Sequence, residues 1–248
     1  MRAMRVGVLG LGRFGSFWAR HLSRDFEVTA WSRSAEREAP EGVRRVGLEE
    51  LLQADILWLC PAISSMEDVL REIAPLVRPG QVIADTCSVK LVPSSQMLEL
   101  LPPHAKLLAT HPMFGPDSAR NGVQGLPIVL HNLHHAAVEL TWWSKFFSAQ
   151  GMRVLELTPD EHDRAAAYTQ GITHLIGRVL SDMGLADHPI ATQGYKRLLD
   201  LIQQTCNDPF QLFLDMQHAN PYTGAMRDDL KASLERTLNR LDTSGGGQ

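Results

Sequence analysis

The chain is short of the features that mark specialised proteins, and each shortage removes a class of function. Its three cysteines, Cys60, Cys87 and Cys206, are an odd set without metal-ligand or redox-motif spacing. They read as reduced thiols in a reducing compartment, with cytoplasm the default. No long uninterrupted apolar run is present: the opening MRVGVLGLG, from Met4, is broken by glycines and followed by charge, unlike a signal peptide or a membrane span. A formal net charge of -4 and the lack of any long like-charge run leave no basic field for nucleic acid or an anionic membrane. No internal repeat is visible, and His131, His134 and His135 have no acidic or cysteine partner close in sequence, so no metal is expected.

What is present is an ordinary globular composition, 248 residues with 44% hydrophobic and 21% charged, enough for one large or two modest domains. Apolar β-rich runs at Met4 to Leu9, Phe26 to Trp31, Ile56 to Cys60, Val82 to Ala84, Leu107 to Thr110, Ile128 to Leu130 and Val154 to Leu157 alternate with helical patterns. That alternation predicts a doubly wound parallel α/β sheet over residues 1–157. Ser65 is a candidate N-cap for the helix of SSMEDVLREIAPLV, with Asp68 completing an approximate capping box. Pro93 is expected to interrupt the helix of Leu91 to Leu101, and another helix is expected from about His134 to Ala149. Beyond Thr158-Pro159 the pattern turns helical, at Glu161 to Met183, Thr192 to Cys206, Pro209 to Ala219 and Met226 to Leu241. Residues 158–243 therefore read as an all-helical second domain, with 244–248 a flexible tail. Several of these helices are apolar on more than one side, which predicts a homodimer formed through them.

Gly10-Leu11-Gly12-Arg13-Phe14-Gly15 follows the first strand and opens a helix, the context in which G-x-G-x-x-G binds a dinucleotide in a Rossmann-type fold. Gly10 permits the turn, Gly12 lets backbone approach a pyrophosphate, and Gly15 lets helix pack on strand. Arg13 and Phe14 inside the turn, and Pro61 at the end of the third strand, join the candidate cofactor residues. The second strand ends in Trp31-Ser32-Arg33-Ser34, without the acidic residue that accepts from the ribose hydroxyls of NAD. Arg33 can pair with a 2'-phosphate and Ser32 and Ser34 can donate to it, which favours NADP with NAD possible. The alternative is that Arg33 is a solvated surface arginine.

Two segments carry candidate chemistry: DTCSVK, Asp85 to Lys90, and HPMFGP, His111 to Pro116. Each follows an apolar strand, so Ser88 and His111 are expected at neighbouring strand ends, where open α/β sheets hold ligands. His111 is a candidate general base near neutral pH once a second group fixes its tautomer.

GLGRFG, DTCSVK, HPMFGP and EHDRAAAYTQGITH, in this order, resemble the TyrA family of prephenate and arogenate dehydrogenases, closest to the short plant-type arogenate dehydrogenases. The resemblance runs from Met4 to about Leu241. It implies NADP-dependent oxidative decarboxylation of a cyclohexadienol, with His111 taking the hydroxyl proton and Ser88 bonded to the substrate hydroxyl and to His111. Lys90 is either an electrostatic stabiliser or half of a structural ion pair. Asp163, Gln170 and His174, seven and four residues apart, can share one helix face toward substrate. An Asp163 carboxylate suits the ammonium of arogenate better than the keto acid of prephenate. The FRDxTR-like segment of many bacterial members is replaced by Gly194-Tyr195-Lys196-Arg197-Leu198-Leu199, leaving Arg178, Lys196 and Arg197 as candidates for the substrate carboxylate. The competing expectations are another NADP-dependent two-domain dehydrogenase or imine reductase, and an NADP-sensing protein without turnover.

Overall fold

The computed structural model describes residues 4–244, and the chain divides into two units, Met1–His162 and Asp163–Gln248. In the first unit, β1 (Arg5–Leu9), α1 (Arg13–Leu22), β2 (Glu27–Trp31), β3 (Val43–Arg45), α2 (Leu48–Leu51) and β4 (Ile56–Leu59) lead into α3 (Met66–Ile73) and β5 (Val82–Asp85). Then come α4 (Leu91–Leu100), β6 (Lys106–Pro112), β7 (Pro127–His134), α5 (Ala137–Ala149) and β8 (Arg153–Glu156). The eight strands form one sheet in the order β3-β2-β1-β4-β5-β6-β7-β8. All neighbours run parallel except β6 and β7, where His111 lies opposite Val129. The order reverses between β1 and β4, so the carboxyl ends of these strands frame the crevice in which doubly wound sheets bind ligands.

Continuous apolar strands such as Ile56–Leu59, buried throughout, fit a sheet covered on both faces. One face packs an aromatic cluster: Trp18 of α1 meets Trp58 of β4 at 5.3 Å between ring centroids, and Trp58 meets Trp143 of α5 at 5.1 Å, edge to face. Trp143→Ala is therefore expected to cost about 3–5 kcal/mol of unfolding free energy, read from denaturant midpoints. Trp142, by contrast, is 41% exposed and stacks on Phe146, so its substitution is expected to cost much less.

Several local expectations are corrected. Ser65 ends a short 3-10 turn and makes no side-chain cap, so the capping box with Asp68 is not formed. Pro93 does not interrupt α4: it sits in the first turn, where the missing N–H has no intrahelical acceptor to lose. His134 belongs to β7, because pairing with β6 carries that strand past Leu130 as far as His134. The edge strand β3 was not anticipated, since Val-Arg-Arg carries no apolar run.

In the second unit, α6 (Pro159–Ala166), which starts in the first, passes through a π-helical turn at Ala167–Gly171 into α7 (Ile172–Asp182). There follow α8 (Gln193–Cys206), α9 (Phe210–Ala219) and α10 (Thr223–Ser244). Thr192 caps α8 by accepting from the Tyr195 amide. Helices α7 and α8 meet at Gly177, where an added Cβ would lie 2.1 Å from Thr205 Oγ1. Ser244 closes α10, and residues 245–248 of the expected tail lie outside the described residues.

Candidate active site

The glycine turn follows β1 at the point where the strand order reverses. Gly10 has φ +102°, and a Cβ there would lie 2.8 Å from the Cys60 carbonyl, just before Pro61 at the end of β4. A Cβ on Gly15 would lie 1.8 Å from the Gly10 carbonyl oxygen. At Gly12 a Cβ would meet only Arg37 Nη1, at 3.4 Å. Gly10 and Gly15 are thus demanded by the protein's own backbone, whereas the space at Gly12 is free of backbone. Gly12 is also the N-cap of α1, with no side-chain cap and no acidic residue in the first turn. These residues fit the pyrophosphate of a dinucleotide at a helix N-terminus.

The other candidate cofactor residues are differently engaged. Arg13 pairs with Asp117 in the loop that follows HPMFGP. Phe14 packs on Phe17 and Trp18 as part of the core edge. Arg33 forms an exposed ion pair with Glu72 at 3.0 Å, Ser32 is buried and Ser34 is exposed. Two arginines not anticipated from sequence lie close by. Arg45 of β3 donates to the carbonyls of Ser32, Ser34, Ala35 and Arg37, bracing the segment after β2. Arg37 donates to the Leu11 carbonyl at 3.0 Å, which places a guanidinium at the glycine turn.

His111 is 3% exposed, and its Nδ1 lies 2.8 Å from Nε2 of His162 on α6. The expected hydrogen bond between Ser88 and His111 is absent: the buried Ser88 Oγ has no partner, and His162 takes the place beside the imidazole. With both rings neutral, one tautomer arrangement has His111 Nδ1–H donating to His162, which leaves the His111 Nε2 lone pair free to take a proton. Burial, followed by the repulsion between two protonated rings that a proton on each of His111 and His162 would bring and by the Lys90 charge, pushes the His111 pKa well below the usual 6.5. The imidazole is then a neutral base at physiological pH. Sequence reasoning missed His162 because a polar residue in a helix's first turns reads as solvated. Its i, i+4 spacing to Ala166, also buried, was the available signal.

Lys90 is 1% exposed and paired with Asp85, the last residue of β5, and it donates to the Thr110 carbonyl. Of the two expectations for Lys90, the structure has the buried ion pair. The flanking thiols are inert, since burial pushes Cys60 up to about 12 and raises Cys87 well above its ordinary value.

In the second unit, the π-turn breaks the straight-helix register on which a shared face for Asp163 and Gln170 depended, because the wider turn rotates every later residue relative to α6. Asp163 is buried, and its main-chain carbonyl accepts from Asn220 at 2.8 Å. Gln170 Oε1 and His174 Nδ1 are buried and without hydrogen-bond partners. Arg178 Nη2 donates to the carbonyls of Thr205 at 3.1 Å and Asp208 at 2.7 Å, beneath the rings of Phe210 and Phe213. Its guanidinium closes the end of α8 through Nη2, while its buried Nε has no hydrogen-bond partner. Lys196 and Arg197 are exposed on α8.

A crevice at the strand-order reversal, a glycine turn fitted to a pyrophosphate and a buried histidine base, with a helical second unit, define the class of two-part α/β dehydrogenases. Residues 24–141 match the family model described as prephenate dehydrogenase, nucleotide-binding domain, and residues 179–246 match that described as TYRAAT1-like, C-terminal domain. Arogenate dehydrogenase 2, chloroplastic, of Arabidopsis thaliana is 35% identical over 96% of this chain and 70% of its own length. Arogenate dehydrogenase 1 of the same plant is 33% identical over 96% of this chain and 39% of its own length. The crystal structure of prephenate dehydrogenase from A. aeolicus, in complex with hydroxyphenyl propionate and NAD+, has a TM-score of 0.78 at 14% identity, covering 99% of this chain and 93% of that one. Synechocystis arogenate dehydrogenase has a TM-score of 0.69 at 22% identity, covering 98% and 94%. The chain belongs to the prephenate and arogenate dehydrogenase family.

Proposed function

We propose that the chain catalyses the NADP-dependent oxidative decarboxylation of arogenate, with prephenate the second substrate. The observation that carries this is His111, buried, held neutral and bonded through Nδ1 to His162. A bound nicotinamide would supply the hydride acceptor for the ring carbon that bears the substrate hydroxyl. His111 takes the hydroxyl proton as the carbonyl forms and returns it to that oxygen when the carbon–carboxylate bond breaks. The electron pair of that bond flows into the ring, CO2 leaves and the ring becomes aromatic. Ser88 Oγ, buried without a partner, is the hydroxyl available to the same substrate oxygen. The arogenate preference is supported by the two Arabidopsis thaliana relatives, both named arogenate dehydrogenases, at 35% and 33% identity.

The test is reduction of NADP+ and NAD+ in the presence of arogenate or prephenate, followed by absorbance. Faster turnover of arogenate with NADP+ is expected. No absorbance gain with either substrate overturns the dehydrogenase reading, and equal or better use of prephenate overturns the substrate preference.

The NADP preference is supported by the missing acid after β2 and by the two arginines with charge to offer, Arg33 and Arg37. Arg37→Ala is expected to weaken NADP+ binding about 10–100-fold, the worth of one charge-assisted hydrogen bond, with NAD+ binding less affected. Arg33→Ala is expected to cost less, because that guanidinium must exchange Glu72 for a phosphate. Fluorescence titration of the two cofactors measures both. A homodimer is part of the same proposal, supported by Leu234, Leu238 and Leu241, at least half exposed along α10; light scattering reads the mass. So is a cytoplasmic location, supported by the free thiols of Cys60, Cys87 and Cys206.

A further inference from the structure

We infer that Asp85 and Lys90, a buried ion pair where β5 and β6 lie side by side, are positioning residues that set the spacing of Ser88 and His111. The inference rests on the catalytic reading above. Asp85 Oδ2 accepts from the Cys87 amide at 3.0 Å, and Asp85 Oδ1 accepts from the Thr110 amide at 3.1 Å. One carboxylate therefore grips the main chain at the residue before Ser88 and at the residue before His111. Lys90 Nζ donates both to that carboxylate and to the Thr110 carbonyl, so the peptide group leading into His111 is held on its acceptor side as well. Thr110 Oγ1 donates to the Asp85 carbonyl, adding a third tie between the two segments.

A buried ion pair is a poor device for stability alone, because desolvation offsets its attraction and apolar residues of equal volume often serve as well. Its geometric product here is specific: two segments from adjacent strands are locked at the residues next to the two groups that face chemistry. Held spacing of this kind matters to rate, since a displacement of about 1 Å can cost about 10²-fold. Lys90 has a second effect through charge. The titratable groups facing His111 are His162 from α6 and Lys90 after β5, with Asp85 paired to Lys90. A cation there opposes protonation of His111, so loss of Lys90 raises the pH at which the imidazole takes its proton.

Each single neutralisation leaves a buried charge alone, so the test uses the double variant Asp85→Asn/Lys90→Met. Three measurements are made on it: the Kd for NADP+, kcat and KM over pH, and titration of the His111 ring by NMR. The expected result is unchanged cofactor binding and KM, kcat lower by about 10²-fold, and His111 titrating at higher pH with the acid limb of kcat/KM moving with it. A variant that loses only melting temperature, with kcat and titration unchanged, overturns the inference and leaves a structural staple. Should the double variant fail to fold, Asp85→Asn/Lys90→Gln keeps hydrogen-bonding groups at both positions without either charge, and an unmoved His111 titration in it overturns the charge role. The ring titration needs no turnover. If it moves while the native protein oxidises neither substrate, the dehydrogenase reading falls and the hold on His111 stands.

Discussion

Replacing His111 by Gln is expected to lower kcat by about 10²–10⁴-fold, the usual worth of a positioned acid–base group, with the Kd for NADP+ unchanged. The separation follows from geometry: His111 is on β6, whereas the glycine turn follows β1, with β4 and β5 between them in the sheet. Glutamine can still accept from or donate to His162, so the loss reports proton transfer rather than collapse. His162→Leu removes the hydrogen bond to Nδ1 and frees the tautomer; its kcat is expected to fall by about tenfold or more, the value of about 1.4 kcal/mol. Wild-type kcat in His111→Gln would remove the imidazole from the chemistry and assign the proton transfer to another group.

The same histidine sets a pH dependence with a definite sign. The folded-state pKa of His111 lies well below the unfolded value of 6.5, so between those two pH values the unfolded chain binds more protons. Stability is complete above pH 6.5 and is lost as pH falls toward the folded pKa. His21 and His174, also lowered chiefly by burial, act in the same direction. Melting temperature is expected to drop on acidification below pH 6.5, with a shallower slope in His111→Gln. The acid limb of kcat/KM is expected below the ordinary histidine range for the same reason.

How much of this was legible in the sequence depends on whether the physical demand is local. The alternating strands and helices were readable because burial on both faces imposes apolar runs, and the glycine turn because one φ and two close approaches admit only glycine. Ser88, Lys90 and His111 were visible as chemistry at strand ends. Their partners were not. His162 is separated from His111 by 51 positions, and Asp85 grips Thr110 across 25. Nothing local in the chain records such pairings. Arg37 and Arg45 looked like surface charge because their acceptors are main-chain carbonyls, which every sequence supplies. The π-turn at Ala167–Gly171 has no composition of its own, so a seven-residue spacing was read in straight-helix register where the backbone widens. Arg178 shows the same limit: its Nη2 donates to the carbonyls of Thr205 and Asp208, acceptors that no sequence pattern marks.

The glycine turn yields the second large effect, and there two substitutions of identical chemistry separate fold from function. Gly15→Ala places a Cβ 1.8 Å from the Gly10 carbonyl oxygen and 3.1 Å from Cys60 Cβ, so α1 must move away from the turn. Overpacking of this kind costs about 1–3 kcal/mol and occasionally more, and the displaced helix takes its amides away from the pyrophosphate. Loss of both melting temperature and cofactor binding is expected. Gly12→Ala meets only the far end of Arg37, at 3.4 Å, and its φ of -70° suits any residue. Its melting temperature is expected to match the native protein, while the new methyl fills space that a phosphate would need and weakens NADP+ binding by about 10–100-fold. Equal cofactor affinity in Gly12→Ala and the native chain would place the pyrophosphate elsewhere. A stable Gly15→Ala with native affinity would mean that the turn yields more readily than backbone packed against backbone allows.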